Sequence, residues 1–245
     1  MSNPLQEPGI VTERVSFAGA TGEISAYVAR PNANRAHPAL IVVHEMWGLT
    51  EHICDVTRRF ARVGYFAIAP DLYSRFGHPV TQDRDTAFKL MDALKIADGI
   101  DDLMRTIEWI GRQPNAIADR VGMTGFCMGG TYSIEMACEP AGLKAAAPFY
   151  GQVADDDRLR ALRCPILYIG AELDWWAPKE QALRLQAALE KFGKAGEVII
   201  YPKVPHAFFN DARPEVYRES EARDAWAKAL GFLERHLKAG VASPD

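Results

Sequence analysis

Hydrophobic and polar positions alternate between two textures along this chain. Short continuous apolar runs recur at "ALIVVHE" (39–45), "YFAIAPDLY" (65–73), "RVGMTGF" (120–126), "LKAAAPFYG" (143–151), "CPILYIGAELD" (164–174) and "GEVIIYP" (196–202). Such runs predict strands covered on both faces. Before them, "VTERVSF" (11–17) and "EISAYVA" (23–29) flank the turn-forming "AGATG" and predict an antiparallel hairpin. Between the runs, apolar residues recur at helical spacing. Ile53, Val56, Phe60 and Val63 share a face over 51–63, with Thr50 as N-cap. Ile100, Leu103, Met104, Ile107 and Ile110 do so over 98–112, behind Asp98. Leu183, Leu185 and Leu189 mark a third helix, ended by Gly193 and Gly196. A last one, from about 215 to 237, carries Ala222, Trp226, Ala229, Leu230, Leu233 and Leu237. This alternation predicts an α/β fold: a single domain over 1–245 with one mostly parallel, doubly wound sheet of about eight strands. Helices cover both faces, and the hairpin lies at one edge.

Composition narrows the partners. The 245 residues hold 28 Lys and Arg against 32 Asp and Glu, a net charge of −4. That balance argues against a nucleic-acid surface. No apolar stretch approaches the length of a membrane span, and the first residues lack the pattern of a signal peptide. The four cysteines (Cys54, Cys127, Cys138 and Cys164) show no metal-finger spacing. Unpaired thiols without an export signal point to the cytoplasm. The chain has neither a GxGxxG nor a P-loop pattern, so no nucleotide, metal or other cofactor is expected.

In sheets of this kind function gathers beyond the carboxyl ends of the strands. The residues there are His44 and Glu45, Tyr73 and Arg75, Cys127, Tyr150, Asp174, and the "VPHAFFND" segment. Cys127 sits in "GFCMG", with Gly125 and Gly129 two places to either side, at a strand-to-helix junction. A sharp turn there holds the central residue in a strained conformation, and neighbouring side chains would collide. The positive end of the following helix favours a thiolate, and the Met128 N–H faces the position of an oxyanion. A nucleophile needs a base. His206 is the one histidine in a loop after Cys127, while His37, His52 and His78 read as loop or helix-surface residues and His236 as exposed. His44 could also face the site. An orienting acid precedes the base: Asp174 lies deeper in its loop than the competing Glu172, although an Asp before "WWAP" could equally cap a helix. The order nucleophile, acid, histidine is that of α/β-hydrolases.

With "HEMWG", "APDLYSR", "GFCMGG", "GAELDWWAP" and "PHAFFND" in place, nearly the whole chain resembles the dienelactone hydrolase (carboxymethylenebutenolidase) family. The resemblance implies an α/β-hydrolase fold and ester hydrolysis by Cys127, His206 and Asp174. It implies that Glu45 contacts the resting cysteine and is displaced by substrate. A carboxylate beside a thiol disfavours a second negative charge and protects it from oxidation. The Met46 N–H would be a second oxyanion donor beside that of Met128. Arg75 would bind a substrate carboxylate. The pattern departs where the family carries a serine and a second arginine: Ala207 and Asn210 stand there, with Arg213 three positions further on. Trp47, Tyr150 and Phe208 are expected against substrate, with Trp175, Trp176 and Phe209 nearby. Residues 74–97 are expected as lid or pocket wall.

The expected substrate is a lactone, enol ester or other small ester, and the expected state a monomer. The alternatives are a broader carboxylesterase or thioesterase, and a non-catalytic thiol sensor of oxidants on the same fold. A thiol peptidase fits the strand–helix alternation poorly.

Overall fold

The computed structural model describes residues 8–239; residues 1–7 and 240–245 of the expected domain lie outside the described residues. The strands are β1 (Ile10–Ala18), β2 (Glu23–Pro31), β3 (His37–Val43), β4 (Phe66–Pro70), β5 (Ala116–Phe126), β6 (Ala145–Phe149), β7 (Ile166–Leu173) and β8 (Gly196–Pro205). The helices are α1 (Glu51–Arg62), α2 (Arg84–Ala93), α3 (Ile96–Ile110), α4 (Met128–Cys138), α5 (Asp156–Arg160), α6 (Lys179–Phe192) and α7 (Glu219–Leu237). All eight strands join one sheet in the order β1-β2-β4-β3-β5-β6-β7-β8. β1 pairs antiparallel with β2, and β2 antiparallel with β4. The remaining pairs are parallel.

The continuous apolar runs are explained by a core on each face. Every residue of β3, β4 and β6 is buried. Along β3, Ala39, Ile41 and Val43 join one apolar cluster with Leu103 of α3 and Leu185 of α6. Leu40 and Val42 join the other, with Ile53 of α1 and Leu233 of α7. This is the two-residue period of a strand shared between two cores. The parallel strands also end on one edge of the sheet, which brings Glu45, Cys127, Tyr150, Asp174 and His206 to a common side.

Two helix starts differ from the sequence reading, those of α3 and α7. Thr50 does occupy the N-cap position of α1, but its side chain makes no capping bond. α3 starts at Ile96, ahead of Asp98. α7 starts at Glu219, because Val216 and Tyr217 are held in turns by the Arg213 carbonyl. The pattern isolated neither the five-residue α5 nor α2. Its N-cap, Asp83, accepts a hydrogen bond from the Thr86 N–H at 2.9 Å, but only Ala87 is buried along its length. Its apolar period is therefore weak. Among the described residues, no helix is long and apolar enough to cross a membrane.

Leu233 is fully buried between α7 and the sheet. Leu233→Ala is expected to lower unfolding free energy by about 2–5 kcal/mol, through lost apolar burial and the cavity left behind. Urea denaturation should show a lower midpoint at unchanged slope.

Candidate active site

The strand-to-helix junction is sharper than an ordinary helix start. Cys127 adopts φ 54° and ψ −120°, between the end of β5 and the first residue of α4. A non-glycine residue held there stores on the order of 1–3 kcal/mol of strain. Two backbone bonds pin it: the Cys127 N–H donates to the Phe149 carbonyl and the Thr131 N–H to the Cys127 carbonyl, both at 3.1 Å. The flanking glycines allow this by close approach. A Cβ on Gly125 would lie 2.2 Å from the Gly129 carbonyl oxygen, and one on Gly129 would lie 2.3 Å from that of Val43. The turn is thus wedged against the end of β3. The first N–H groups of α4, beginning with Met128, have no partner within the helix and remain available to an anion.

His206 follows β8 and is almost fully buried. Its Nδ1 donates to Asp174 Oδ2 at 2.7 Å. The other oxygen of that carboxylate, Oδ1, accepts from the Trp176 and Ala177 N–H groups, both at 2.8 Å. Asp174 therefore caps its own turn and orients the histidine at once. Glu172 faces elsewhere, bonded to Lys179 and to the Lys203 N–H. The His206 ring is boxed edge-on by Tyr150, Trp175 and Trp176, and it lines one cavity with Cys127. Burial lowers the His206 pKa, but the negative charge of a Cys127 thiolate and the bond to Asp174 outweigh it and raise the pKa to about 10. The arrangement sets a cysteine, an imidazole and a carboxylate side by side at the strand ends.

Glu45 is buried at the same site. Its Oε2 accepts from Asn210 Nδ2 at 2.6 Å, while its Oε1 has no partner among the described residues. Position 210, where the resembled family carries arginine, thus supplies a neutral donor to Glu45. His44 is held by backbone groups on both ring nitrogens. Its Nδ1 donates to the Glu45 carbonyl at 2.6 Å and its Nε2 accepts from the Leu72 N–H at 3.1 Å. Those two bonds fix one neutral tautomer, and burial lowers its pKa. Tyr73 Oη lies 3.1 Å from the Met46 carbonyl, which steadies the segment that carries the Met46 N–H.

Cys127 opens into a cavity of about 110 Å³ whose wall includes Glu45, Met46, Trp47, His206, Arg84 and Arg213. Trp175 and Trp176 complete its aromatic side. Three residues expected against substrate are elsewhere. Arg75 is drawn into ion pairs with Asp102 (2.5 Å) and Asp98 (3.3 Å) on α3 and does not line the cavity. Phe208 is fully buried against Tyr150 and Tyr201, as core. Tyr150 is also fully buried, behind the His206 ring, and its hydroxyl has no partner among the described residues. Burial, then the charges of Glu45 and Cys127, raise the Tyr150 pKa well above the ordinary phenol value. The cavity arginines are instead Arg84, over the Trp175 ring at 4.6 Å, and Arg213, over Trp47 at 5.2 Å. Arg84 lies within residues 74–97, the stretch expected as lid or pocket wall, and follows the capping Asp83 directly, but nothing in the pattern singles it out there. His37 and His52, expected at the surface, are both buried.

A strained thiol turn at the centre of this strand order, with an acid after β7 and a histidine after β8, defines an α/β-hydrolase. The dienelactone hydrolase family profile matches residues 24–237, and the chain belongs to that family of hydrolases. A Salmonella typhi protein provisionally named carboxymethylenebutenolidase is 35% identical, over 93% of this chain and 89% of its own. A Yersinia pestis protein with the same provisional name is 32% identical, over 98% and 94%. A crystal structure from Klebsiella pneumoniae, provisionally described as a dienelactone hydrolase, superposes at TM-score 0.87 with 33% identity, covering 92% of this chain and 99% of that one.

The four thiols should differ sharply in reactivity. Burial raises the pKa of Cys54 and Cys138 to about 11 and of Cys164 to about 12. Native protein treated with iodoacetamide at neutral pH is expected to take one label, on Cys127, by peptide mass mapping; the others should react only after unfolding. The His206 ring should hold its second proton through neutral pH and release it near pH 10. Cys127→Ala removes the charge that raises it and leaves burial opposing protonation. Its midpoint by ring-nitrogen NMR should fall by about one unit or more.

Proposed function

We propose that the protein hydrolyses small esters and lactones that carry an anionic group, with Cys127 as nucleophile. The supporting observation is the Asp174–His206 bond set beside Cys127 on one small cavity. Cys127 Sγ attacks the carbonyl carbon, and the oxyanion is held by the Met46 and Met128 N–H groups. The C–O bond breaks as His206 Nε2 protonates the departing oxygen, leaving a thioester on Cys127.

The electrostatics give His206 two successive roles. While Cys127 is a thiolate, its charge holds the imidazolium. Acylation removes that charge. Burial then favours the neutral ring, so His206 readily gives its proton to the leaving alkoxide and remains as a base for water. Water attacks the thioester, its proton passes to Nε2, and the thiolate leaves with the imidazolium restored. Glu45, with one carboxylate oxygen unpartnered beside the thiol, restrains charge build-up on Cys127 before substrate arrives.

Arg84 and Arg213 give the cavity its selectivity for an anion. Arg213 is already paired with Glu215 at 2.7 Å, whereas Arg84 rests on aromatic faces, which makes Arg84 the stronger attraction. An ester is favoured over an amide because a thiolate departs more easily than an amine.

Hydrolysis of an aryl acetate and of a lactone should fall at least about a thousandfold in Cys127→Ala and His206→Ala. Full activity in either variant overturns the mechanism. Arg84→Gln should reduce kcat/KM for a carboxylate-bearing ester roughly ten- to a hundredfold, and far less for its neutral counterpart. Equal losses on the two esters would remove the anion-binding role.

A further inference from the structure

His44 is a fully buried titratable side chain that takes no part in the steps above. It stands between the end of β3 and the cavity wall formed by Glu45, Met46 and Trp47. Burying a polar ring is unfavourable unless its nitrogens are satisfied. Here both are, and by backbone. Nε2 lies 3.1 Å from the Leu72 N–H, which can only donate, so Nε2 is the acceptor. Asp71 Oδ1 is 3.7 Å from the same nitrogen, beyond hydrogen-bond reach. Nδ1 lies 2.6 Å from the Glu45 carbonyl, which can only accept, so the ring hydrogen is on Nδ1.

The identity of that carbonyl matters. The Glu45 carbonyl and the Met46 N–H belong to one planar trans peptide unit, in which they point in opposite directions. Fixing the carbonyl therefore fixes the N–H. The carbonyl is held by two donors, His44 Nδ1 and, at 3.3 Å, the Gly48 N–H. On the other side of the unit, the Met46 N–H has no backbone partner among the described residues, and Met46 lines the cavity with Cys127. The ring is braced as well. Tyr73 packs against it at 5.1 Å, and the Tyr73 hydroxyl donates to the next carbonyl, that of Met46, at 3.1 Å.

We propose that His44 is a positioning residue of the oxyanion hole: its Nδ1–H orients the Glu45–Met46 peptide unit so that the Met46 N–H faces the carbonyl oxygen under attack by Cys127. The inference rests on the hydrolase reading above. The bond also acts through the electrons of the unit. A donor on the carbonyl draws charge toward oxygen and makes the amide hydrogen of the same unit a stronger donor, since hydrogen bonds in series polarise one another. The effect grows as charge gathers on the oxyanion, so it serves the transition state more than the bound substrate. His44 itself touches no reacting atom.

Two substitutions separate the two bonds of the ring. His44→Asn keeps an N–H donor at the Nδ1 position and gives up the bond to Leu72. His44→Gln reaches the Nε2 position with an acceptor and gives up the donor to Glu45. Each loses one hydrogen bond, so their urea midpoints should fall alike. With phenyl acetate, kcat should fall about ten- to a hundredfold in His44→Gln while KM stays within about threefold, and His44→Asn should lose no more than about threefold in kcat. Equal kcat in the two variants overturns the proposal. A wild-type measurement needs no variant to fold. Trifluoroacetophenone adds to Cys127: the Sγ–C bond forms, the carbonyl π pair moves to oxygen, and the thiol proton passes to His206. By NMR of isotope-labelled protein, the Met46 amide proton and the His44 Nδ1 proton should both move downfield as this adduct forms. An adduct that moves one or neither of them overturns the proposal, and so does failure to form any adduct. If the adduct shifts both while phenyl acetate is not hydrolysed, the hydrolase reading falls and the positioning of Met46 by His44 stands.

Discussion

The site depends on one steric constraint: the backbone at the end of β5 must come into near contact with the end of β3 and with α4. Gly125 and Gly129 make that approach possible, and the Phe149 carbonyl holds Cys127 from the other side. The positive φ of Cys127 follows from it. So does the position of the α4 N–H groups next to the sulfur rather than along the strand axis. The strain is small beside the surrounding burial, because β3 and β6 are covered along their whole lengths. The sheet serves as a rigid frame against which a strained residue can be held.

Much of this frame is legible in the chain. The eight strands stand out because burial on both faces removes polar alternation, and that requirement shows in a run such as "ALIVVHE". Cys127, Asp174 and His206 stand out by position, since each follows a strand end at the same edge. The side chains around them are harder to foresee. Arg75 directly follows "DLYS" and looks free in sequence. In space it meets Asp98 and Asp102, which lie one helical turn apart on α3 and form a carboxylate pair ready for a guanidinium. Arg84 rides on a helix with one buried residue, so no apolar period announces it. Tyr150 and Phe208 illustrate a different difficulty. An aromatic residue at a strand end can face the cavity or the core behind it, and sequence spacing does not distinguish the two. Here the His206 ring and Tyr201 take up those faces.

Asp174 shows how stability and chemistry share one group. Its Oδ1 satisfies two backbone N–H groups of the turn before α6, and its Oδ2 satisfies the histidine. The helix-cap reading is not met, since the N-cap of α6 is Pro178; Asp174 instead closes the turn before it while bonding the histidine. Because the carboxylate is anchored by backbone, the imidazole inherits the rigidity of the sheet edge rather than of a side chain alone. The three aromatic rings around His206 then exclude water from the same bond.

The bond between Asn210 and Glu45 ties the loop after β8 to the end of β3 across the site. An amide contributes a dipole and no net charge, so this tie does not neutralise Glu45. Nor is it an ion pair of the kind that dissolved electrolyte weakens. The position of the Glu45 carboxylate is consequently set by the fold and not by the medium. A tie of this kind keeps the same geometry in dilute and in concentrated salt.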